Sequence, residues 1–413
     1  MNASSLDHYI PIAKHELIAA IVGENPKEGA QCRRLLHWLG LLYHVQFFEH
    51  QEQLKTSYEA FDPDSRYGAM VQPDPAAYRR LRAELEETLD AANFKRLSRV
   101  ELRTVDPNTG RLGQKVSLPK GVFRDIRFYA RGARMRKITT PGFLGLPLFR
   151  RKIEVLGYDH VLLAATASYG LKDKFVTTAR LRPGAVYLKL FRDIPQGDLM
   201  TLIPHARISM LWRDRMFLGV PALVAGIPLL LKVVPALSVM LLVSGAYLGI
   251  SGQVEEDTSK KAIAAAVVLG GLIGFLMRQW TSYDRRALRN QKQVIDNAYF
   301  NKLNTNAGCF DYLVGTAEDA ELKEVFLAYI MLARSDGPLS AHALDALVED
   351  WIAAHFDTSI DFEIDDAVQK LRKLKLVSGP DTALLAVPLA EALARAARAW
   401  HDQAHRLGMG PLV

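Results

Sequence analysis

Two apolar runs dominate the middle of the chain: MFLGVPALVAGIPLLLKVVPALSVMLLVSGAYLGIS at residues 216–251 and AIAAAVVLGGLIGFLM at residues 262–277. The polar break QVEEDTSKK at residues 253–261 separates them. A helix needs about 20 predominantly apolar residues to cross the hydrocarbon core of a bilayer. The sequence therefore predicts a membrane hairpin over residues 213–282.

The first apolar run is too long for one straight span, and four residues interrupt its first half: Pro221, Pro228, Lys232 and Pro235. We therefore expect the two transmembrane helices at about 233–251 and 262–280. Residues 216–231 could cross the membrane, re-enter it or lie in its interface.

Basic residues predict the orientation of this hairpin. Arg213 and Arg215 precede it, and Arg285, Arg286 and Arg289 follow it. The positive-inside rule places both flanks in the cytoplasm. The N-terminus has neither the apolar core of a secretory signal nor the Arg-rich character of a transit peptide. The sequence thus predicts the cytoplasmic (inner) membrane of a bacterium, with both termini cytoplasmic.

Small residues recur four positions apart in both predicted spans, at Gly245 and Gly249 and at Gly270 and Gly274. This spacing lets helix backbones approach closely. It indicates packing of the two spans on each other, and a homodimer through the same faces is the sharper interpretation.

The flanking regions predict an α+β protein. Residues 1–97 and 283–413 show helical periodicity, whereas residues 98–212 alternate with a period of two, as in Ile126, Phe128 and Ala130. We expect an N-terminal helical region, an antiparallel β domain with one buried face, the hairpin, and a C-terminal helical domain. The apolar pattern after residue 339 suggests that this last domain is winged-helix-like.

Composition limits the possible classes of protein. The net charge of +7 and a pI near 9.2 suit an anionic surface. Two distant cysteines, Cys32 and Cys309, form neither a disulfide framework nor a zinc ligand set. We expect no cofactor and no metal. We also expect no nucleic acid partner, because a chain held at a membrane would direct its cations towards lipid.

A basic run around an apolar loop is the strongest signal outside the apolar runs. Its members are the candidate residues for binding lipid headgroups or a protein partner: Arg131, Arg134, Arg136, Lys137, Phe143, Leu144, Arg150 and Arg151. In the neighbouring sequence only Asp125 opposes these cations. An apolar tip with flanking cations is typical of interfacial binding. A solvated sheet face with the loop packed in the core is the alternative.

Motifs for catalysis are absent: the sequence has no G-x-S-x-G, P-loop, G-x-G-x-x-G or C-x-x-C. His401 and His405 have the spacing of metal ligands on a helix, but they lack the glutamate of H-E-x-x-H and lie near the chain end. His37 and His44 also share a helix face. The acids Asp361, Glu363, Asp365 and Asp366 are typical of a first helical turn.

Seven stretches carry a resemblance to a known family. In chain order they are YIPIAKHEL (9–17), AFDPD (60–64), ANFKRLS (92–98), LKLFRDIP (188–195), LIPH (202–205), YFNKLNTNAG (299–308) and DFEIDDAV (361–368). Together they resemble the family built on domain of unknown function 3754, which includes transmembrane protein 143-like membrane proteins. The resemblance covers about residues 9–377 and implies two membrane spans, but no activity.

Within these stretches, the positions matched to the family are Phe191, Pro195, Tyr299, Phe300, Asn304, Asn306 and Gly308. Asn and Gly at 301–308 are interpreted as caps at a helix C-terminus, and a polar recognition loop is the alternative.

These observations favour a membrane-anchored, cytoplasmic-facing scaffold or regulatory protein that binds anionic lipid headgroups or a membrane protein partner. One alternative is a component of a channel or transport complex, for which Lys232 is the ionisable residue to test. The other is a membrane-bound enzyme without a recognisable motif. The sequence leans away from an enzyme without deciding the question.

Overall fold

The structure is a computed structural model. It describes residues 8–24, 28–66, 74–98, 101–102, 115–117, 121–140, 151–177, 180–205, 207–209 and 301–408, together with scattered positions between 235 and 281.

Among the described residues of the N-terminal part, the longer helices are α1 (Lys14–Glu24), α2 (Gly29–Glu59) and α3 (Pro75–Ala91). Helix α2 buries a stripe at helical spacing that includes Leu35, Leu39 and Tyr43. Helix α3 begins with a capping aspartate and a proline. The Asp74 carboxylate accepts from the N–H groups of Ala76 and Ala77, and proline occupies the first turn, where no N–H is needed.

The central sheet is antiparallel and has the strand order β1–β3–β4–β5–β7. Its strands are β1 (Lys95–Arg96), β3 (Phe123–Thr140), β4 (Arg151–Ala167), β5 (Val186–Pro195) and β7 (Lys302–Thr305). Two short strands outside it, β2 (Lys115–Ser117) and β6 (Arg207–Ser209), pair with each other. Helix α4 (Asp173–Thr177) lies between β4 and β5 in the chain, and a 3-10 helix (Gln196–Leu202) contacts both of these strands. Strand β7 follows the apolar stretch in sequence yet pairs with β5.

Both faces of this sheet are buried, although the alternating pattern predicts one. Phe128, Val161 and Phe191 pack in a cluster on one face. Tyr129, Leu162 and Leu190 belong to the main core on the other face, where helices from both ends of the chain cover the sheet. The sequence alternates because polar side chains such as Arg127 and Arg131 lie on one face of β3. Helices, and not solvent, cover that face.

Helix α5 (Gly308–Ala333) is the centre of the main core. It is buried on almost every face between Leu322 and Leu332, which is typical of a helix surrounded by other elements. Helices α2, α3, α6 (Ala341–Phe356) and α7 (Ile364–Lys373) pack against it. The hairpin β8 (Val377–Ser378) and β9 (Leu385–Ala386) follows α7, and α8 (Leu389–Arg406) packs on α2.

In the C-terminal part, Leu339 pairs with Leu384 and adds a third short segment to the β8–β9 hairpin. The helices α6 and α7 precede this small antiparallel sheet in the chain, and the winged-helix-like interpretation stays a prediction. Cys32 and Cys309 are free and buried.

Replacing Ser340 with alanine tests the start of α6. The Ser340 hydroxyl accepts from the Ala343 N–H at 3.1 Å and satisfies one of the N–H groups that lack a helical partner. We expect the free energy of unfolding to fall by about 1 kcal/mol, the usual cost of losing an N-cap. Urea denaturation measures it, and Ser340→Asp, which keeps a capping oxygen, should retain most of the stability. An alanine variant as stable as wild type would contradict the assignment.

In the part of the chain that the structure describes, no helix is both long and apolar enough to cross a membrane. This finding contradicts the predicted transmembrane hairpin, and with it the prediction of an integral protein of a bacterial inner membrane with two cytoplasmic termini. Hydropathy detects an apolar run, whereas crossing requires one continuous helix of about 20 residues.

Most of the predicted spans at 233–251 and 262–280, and all of 216–231 including Lys232, lie outside the described residues. Gly245 and Gly249 also lie outside them. Among the described residues, a Cβ built at Gly270 or Gly274 would meet no atom within 4 Å apart from the backbone of its own helix. The homodimer through them stays a prediction.

Candidate anion-binding site

Arg131 lies on strand β3, on the face of the sheet that the helices cover. Its neighbours Ala130 and Phe128 point to the opposite face and pack in the second cluster. Gly132 follows with φ +70, and a Cβ there would lie 2.6 Å from the Asp159 side chain, so only glycine fits this part of the hairpin. Arg131 is buried, with only 4% of its surface exposed.

Aromatic rings surround the Arg131 guanidinium. Its central carbon lies 4.5 Å from the ring centroid of Tyr9, 4.9 Å from Phe94 and 5.9 Å from Tyr312. Such cation–π contacts each contribute up to about 2 kcal/mol when desolvated. They offset part of the cost of removing the charge from water.

Three of the five N–H groups of Arg131 donate to protein acceptors. Nε donates to His160 Nδ1 at 3.4 Å, Nη1 to the Ala92 carbonyl at 3.3 Å and Nη2 to the Tyr312 hydroxyl at 3.2 Å. Among the described residues, no carboxylate forms an ion pair with Arg131. A buried guanidinium without a counterion, and with two N–H groups left over, is typical of a site that receives an anion.

His160 and Tyr312 extend this arrangement. Burial, and then the charges of Arg131, Arg136 and Arg192, lower the pKa of His160 to about 4, so the imidazole is neutral at pH 7. Because Nδ1 accepts from Arg131, the proton belongs on Nε2, which donates to the Tyr312 hydroxyl at 2.6 Å. The Tyr312 oxygen thus accepts two hydrogen bonds, and its own proton is available for a third partner.

A cavity of about 420 Å³ opens beside Arg131. Its wall consists of Tyr9, Ile10, Lys14, Arg131, Tyr312, Gly315, Thr316, Glu318, Asp319, Ala320 and Lys323. We call this space the Arg131 cavity.

The charged groups in the wall of the Arg131 cavity are unequal in number. Lys14 and Lys323 both pair with Asp319, at 3.7 and 2.5 Å. Glu318 pairs with His44 at 3.1 Å. The three cations Arg131, Lys14 and Lys323 therefore outnumber the two carboxylates, and the wall carries excess positive charge.

The other predicted basic residues have acidic partners. Arg134 lies 2.6 Å from Asp159, Lys137 lies 3.5 Å from Glu154, and Arg136 pairs with both Asp159 and Asp193. Asp159 and Glu154 come from the adjacent strand β4 and Asp193 from the next strand, β5, and all three are distant in sequence. Phe143, Leu144 and Arg150 lie outside the described residues, and Arg151 pairs with Thr140 at the start of β4. Lipid or partner binding by these residues stays a prediction.

The family-matched positions within the described residues hold strands together. Phe191 is buried, and Pro195 ends β5. The Asn304 amide donates to the Gly308 carbonyl at 2.8 Å. Asn306 has φ +50, and its side-chain oxygen accepts from the Leu188 N–H while its side-chain nitrogen donates to the Asp64 carboxylate. Asn301 is helical, residues 302–305 form β7 and α5 begins at Gly308, so Asn304, Asn306 and Gly308 lie between a strand and the start of a helix and do not cap a helix C-terminus. Tyr299 and Phe300 lie outside the described residues.

The histidine pairs do not assemble a site. His401 Nδ1 contacts the Ala397 carbonyl within its own helix, and its ring lies 6.0 Å from Trp38. His37 packs on Trp38, whereas His44 binds Glu318. Asp361 and Glu363 lie near the ring of His8, at 3.6 and 3.4 Å.

Sequence reasoning missed an acidic cluster between α5 and α7. Oxygens of Glu321, Glu324 and Asp366 lie within 4.8 Å of one another. Lys370 pairs with Glu321 and Asp366 and supplies a cation from the chain itself, so we assign no metal here. The spacing of Glu321 and Glu324 on one helix was a signal, but the third acid is distant in sequence.

The fold and the cavity together define an α+β protein with a buried cationic site. Residues 158–308 match the model of the family described as "Protein of unknown function (DUF3754)". The family that the sequence motifs indicate is thereby confirmed over these residues. The match includes His160 but neither Arg131 nor Tyr312. No solved structure matches the chain.

Proposed function

We propose that the protein is a non-enzymatic regulatory or scaffold module that binds an anionic group, such as the phosphate of a headgroup, in the Arg131 cavity. The observation that carries the proposal is the buried Arg131 guanidinium, which has no carboxylate partner among the described residues and two N–H groups without a protein acceptor. Hydrogen bonds between arginine and an anion are stronger than neutral ones.

The neighbouring groups suit the same ligand. The Tyr312 hydroxyl has a proton to donate, since its oxygen already accepts from His160 and Arg131. Lys14 and Lys323 add positive charge to the same wall. A tetrahedral oxyanion would complete the hydrogen bonds of Arg131 and Tyr312 and supply the missing counterion.

The enzyme alternative would need a group free to transfer a proton. His160, Tyr312 and Asp319 do come together from distant segments. Both ring nitrogens of His160 are occupied, however, and Asp319 is paired with two lysines. These contacts favour binding over proton transfer.

Binding of phosphate to the full chain tests the proposal. We expect inorganic phosphate or glycerol 3-phosphate to bind by calorimetry, and Arg131→Met to weaken the affinity by about 10–100-fold, the effect of one or two charged hydrogen bonds. Tyr312→Phe, which removes only the hydroxyl, should weaken it by about fivefold. Arg134→Met is the matched control on the same strand and should change the affinity less than twofold, because Arg134 is exposed and paired with Asp159.

Vesicles with and without phosphatidic acid distinguish a lipid headgroup from a soluble phosphate ester. Arg131-dependent binding only to the acidic vesicles would identify the headgroup as the source, and binding only to the soluble esters would identify the ester. Equal affinities of the Arg131→Met and Arg134→Met variants would contradict the proposal, provided that circular dichroism shows both to be folded.

A further inference from the structure

The turn formed by Ala92, Asn93 and Phe94 connects the Arg131 cavity to the buried carboxyl group of Glu324. The Ala92 carbonyl accepts from Arg131, and the Phe94 ring lies against the same guanidinium. Between them, the Asn93 amide donates to Glu324 Oε1 at 3.0 Å. Asn93 has φ +59, in the left-handed region that asparagine adopts more readily than most residues.

Helix α5 makes a second connection. Lys323 lies in the wall of the cavity, whereas the next residue, Glu324, points towards Asn93 and α7. A change in the charge of Glu324 therefore acts on the cavity through an adjacent lysine and through the turn that contacts Arg131.

The groups that face Glu324 come from every element packed around it. They are Glu321 and Lys323 on α5, Glu363, Asp366 and Lys370 at α7, Tyr43 on α2 and Asn93. The Lys370 ammonium pairs with Glu321 and Asp366, and no ion pair of Glu324 is found among the described residues. The pKa of Glu324 is raised to about 8: burial is the largest cause, the hydrogen bond from Asn93 and the charge of Lys323 oppose it, and the charges of Glu363 and Asp366 add to it.

We propose that Glu324 regulates the Arg131 cavity: the cavity binds anions tightly while the Glu324 carboxyl is protonated, and more weakly once it ionises. This inference rests on the proposed function. Ionisation places a negative charge next to Lys323 and lowers the positive potential that an anion meets. By linkage, anion binding also favours the protonated carboxyl, so binding takes up protons.

The dependence of sulfate affinity on pH tests the inference, because the charge of sulfate stays constant between pH 6.5 and 9. For wild type we expect the affinity to fall by about fivefold over this range, the lower end of typical coupling between sites. Glu324→Gln should keep the tight affinity throughout. Asp311→Asn, at an exposed carboxyl on the same helix, is the matched control and should behave as wild type.

Among the groups that face Glu324, Lys370 titrates in the same range, because burial lowers its pKa to about 8, so the Glu324→Gln variant decides which of the two groups causes the decline. His160 is neutral above pH 5, and burial raises the pKa of Tyr9 above its ordinary value of 10. A wild-type affinity independent of pH, or a decline that persists in Glu324→Gln, would overturn the regulation and leave anion binding intact. No sulfate binding at any pH would overturn the proposed function as well.

Proton uptake gives a second measurement that needs no variant. Calorimetry at pH 8 in two buffers with different heats of ionisation should show net uptake of protons when wild type binds sulfate. Zero uptake would contradict the inference even if Glu324→Gln failed to fold.

Discussion

Replacing Phe310 with alanine is expected to lower the free energy of unfolding by about 3–5 kcal/mol, the range for a large aromatic side chain removed from a packed core. Phe310 is fully buried at the start of α5. Its ring meets that of Tyr58 edge-on, at 5.0 Å between centroids and 85° between planes. The Tyr58 hydroxyl in turn donates to the Val186 carbonyl at 2.7 Å. The substitution would leave a cavity between helix α2, the sheet and helix α5.

Chemical denaturation followed by tryptophan fluorescence and by circular dichroism measures this loss. The main core contains residues from 1–97, 98–212 and 283–413, so both signals should shift together in the variant. Phe310→Leu should cost about 1 kcal/mol because it keeps most of the volume. Phe48→Ala is the control at an exposed phenylalanine and should change stability by less than about 0.5 kcal/mol. A Phe310→Ala variant that loses less than 1 kcal/mol would refute the packing described.

Wild type is expected to lose stability as the pH rises from about 5 to 8, and Glu324→Gln to lose much less. The pKa of the buried Glu324 is about 8 in the folded protein, against an ordinary value of 4.5. The folded state therefore binds a proton that the unfolded state releases between these values. Its contribution to stability is fully present below pH 4.5 and is lost as the pH approaches 8. Each pH unit in this interval is worth about 1.4 kcal/mol, and we expect a total on the order of 3–4 kcal/mol.

The difference between wild type and variant isolates this group from the other titrating residues, among them Asp345, whose pKa burial raises to about 6. At pH 8 the glutamine variant should be more stable than wild type, whereas at pH 5 the two should agree within about 1 kcal/mol. Urea unfolding at half-unit steps of pH measures both curves. Parallel curves across the whole range would show that Glu324 is not protonated in the folded protein.

Local patterns predicted the elements that local chemistry governs. Asp74 and Ser340 cap α3 and α6, because a capping side chain reaches only the next turn of its own helix. The alternation around Phe128 predicted a strand correctly, and the antiparallel pairing followed. What alternation could not indicate is which face is buried, since helices cover the polar side of β3 as well.

The basic run shows the same limit at the candidate site. In sequence, Arg131, Arg134 and Arg136 look like one exposed cationic surface. The register of β3 with β4 brings Asp159 to two of them and leaves Arg131 to aromatic rings and neutral acceptors. Side chains that neutralise a strand come from its neighbours, which are far away in sequence.

The sequence by itself determined the α+β composition and the family matched over residues 158–308. It also supplied the apolar runs, but it could not establish a continuous helix that crosses a membrane, and none is found in the described chain. Only the tertiary structure decided that β7 returns to the edge of β5, that α5 is the centre of the core, and that Arg131 meets Tyr9, Phe94 and Tyr312. The physical reason is that burial and charge neutralisation depend on contacts between distant segments, whereas periodicity and capping act within a few residues.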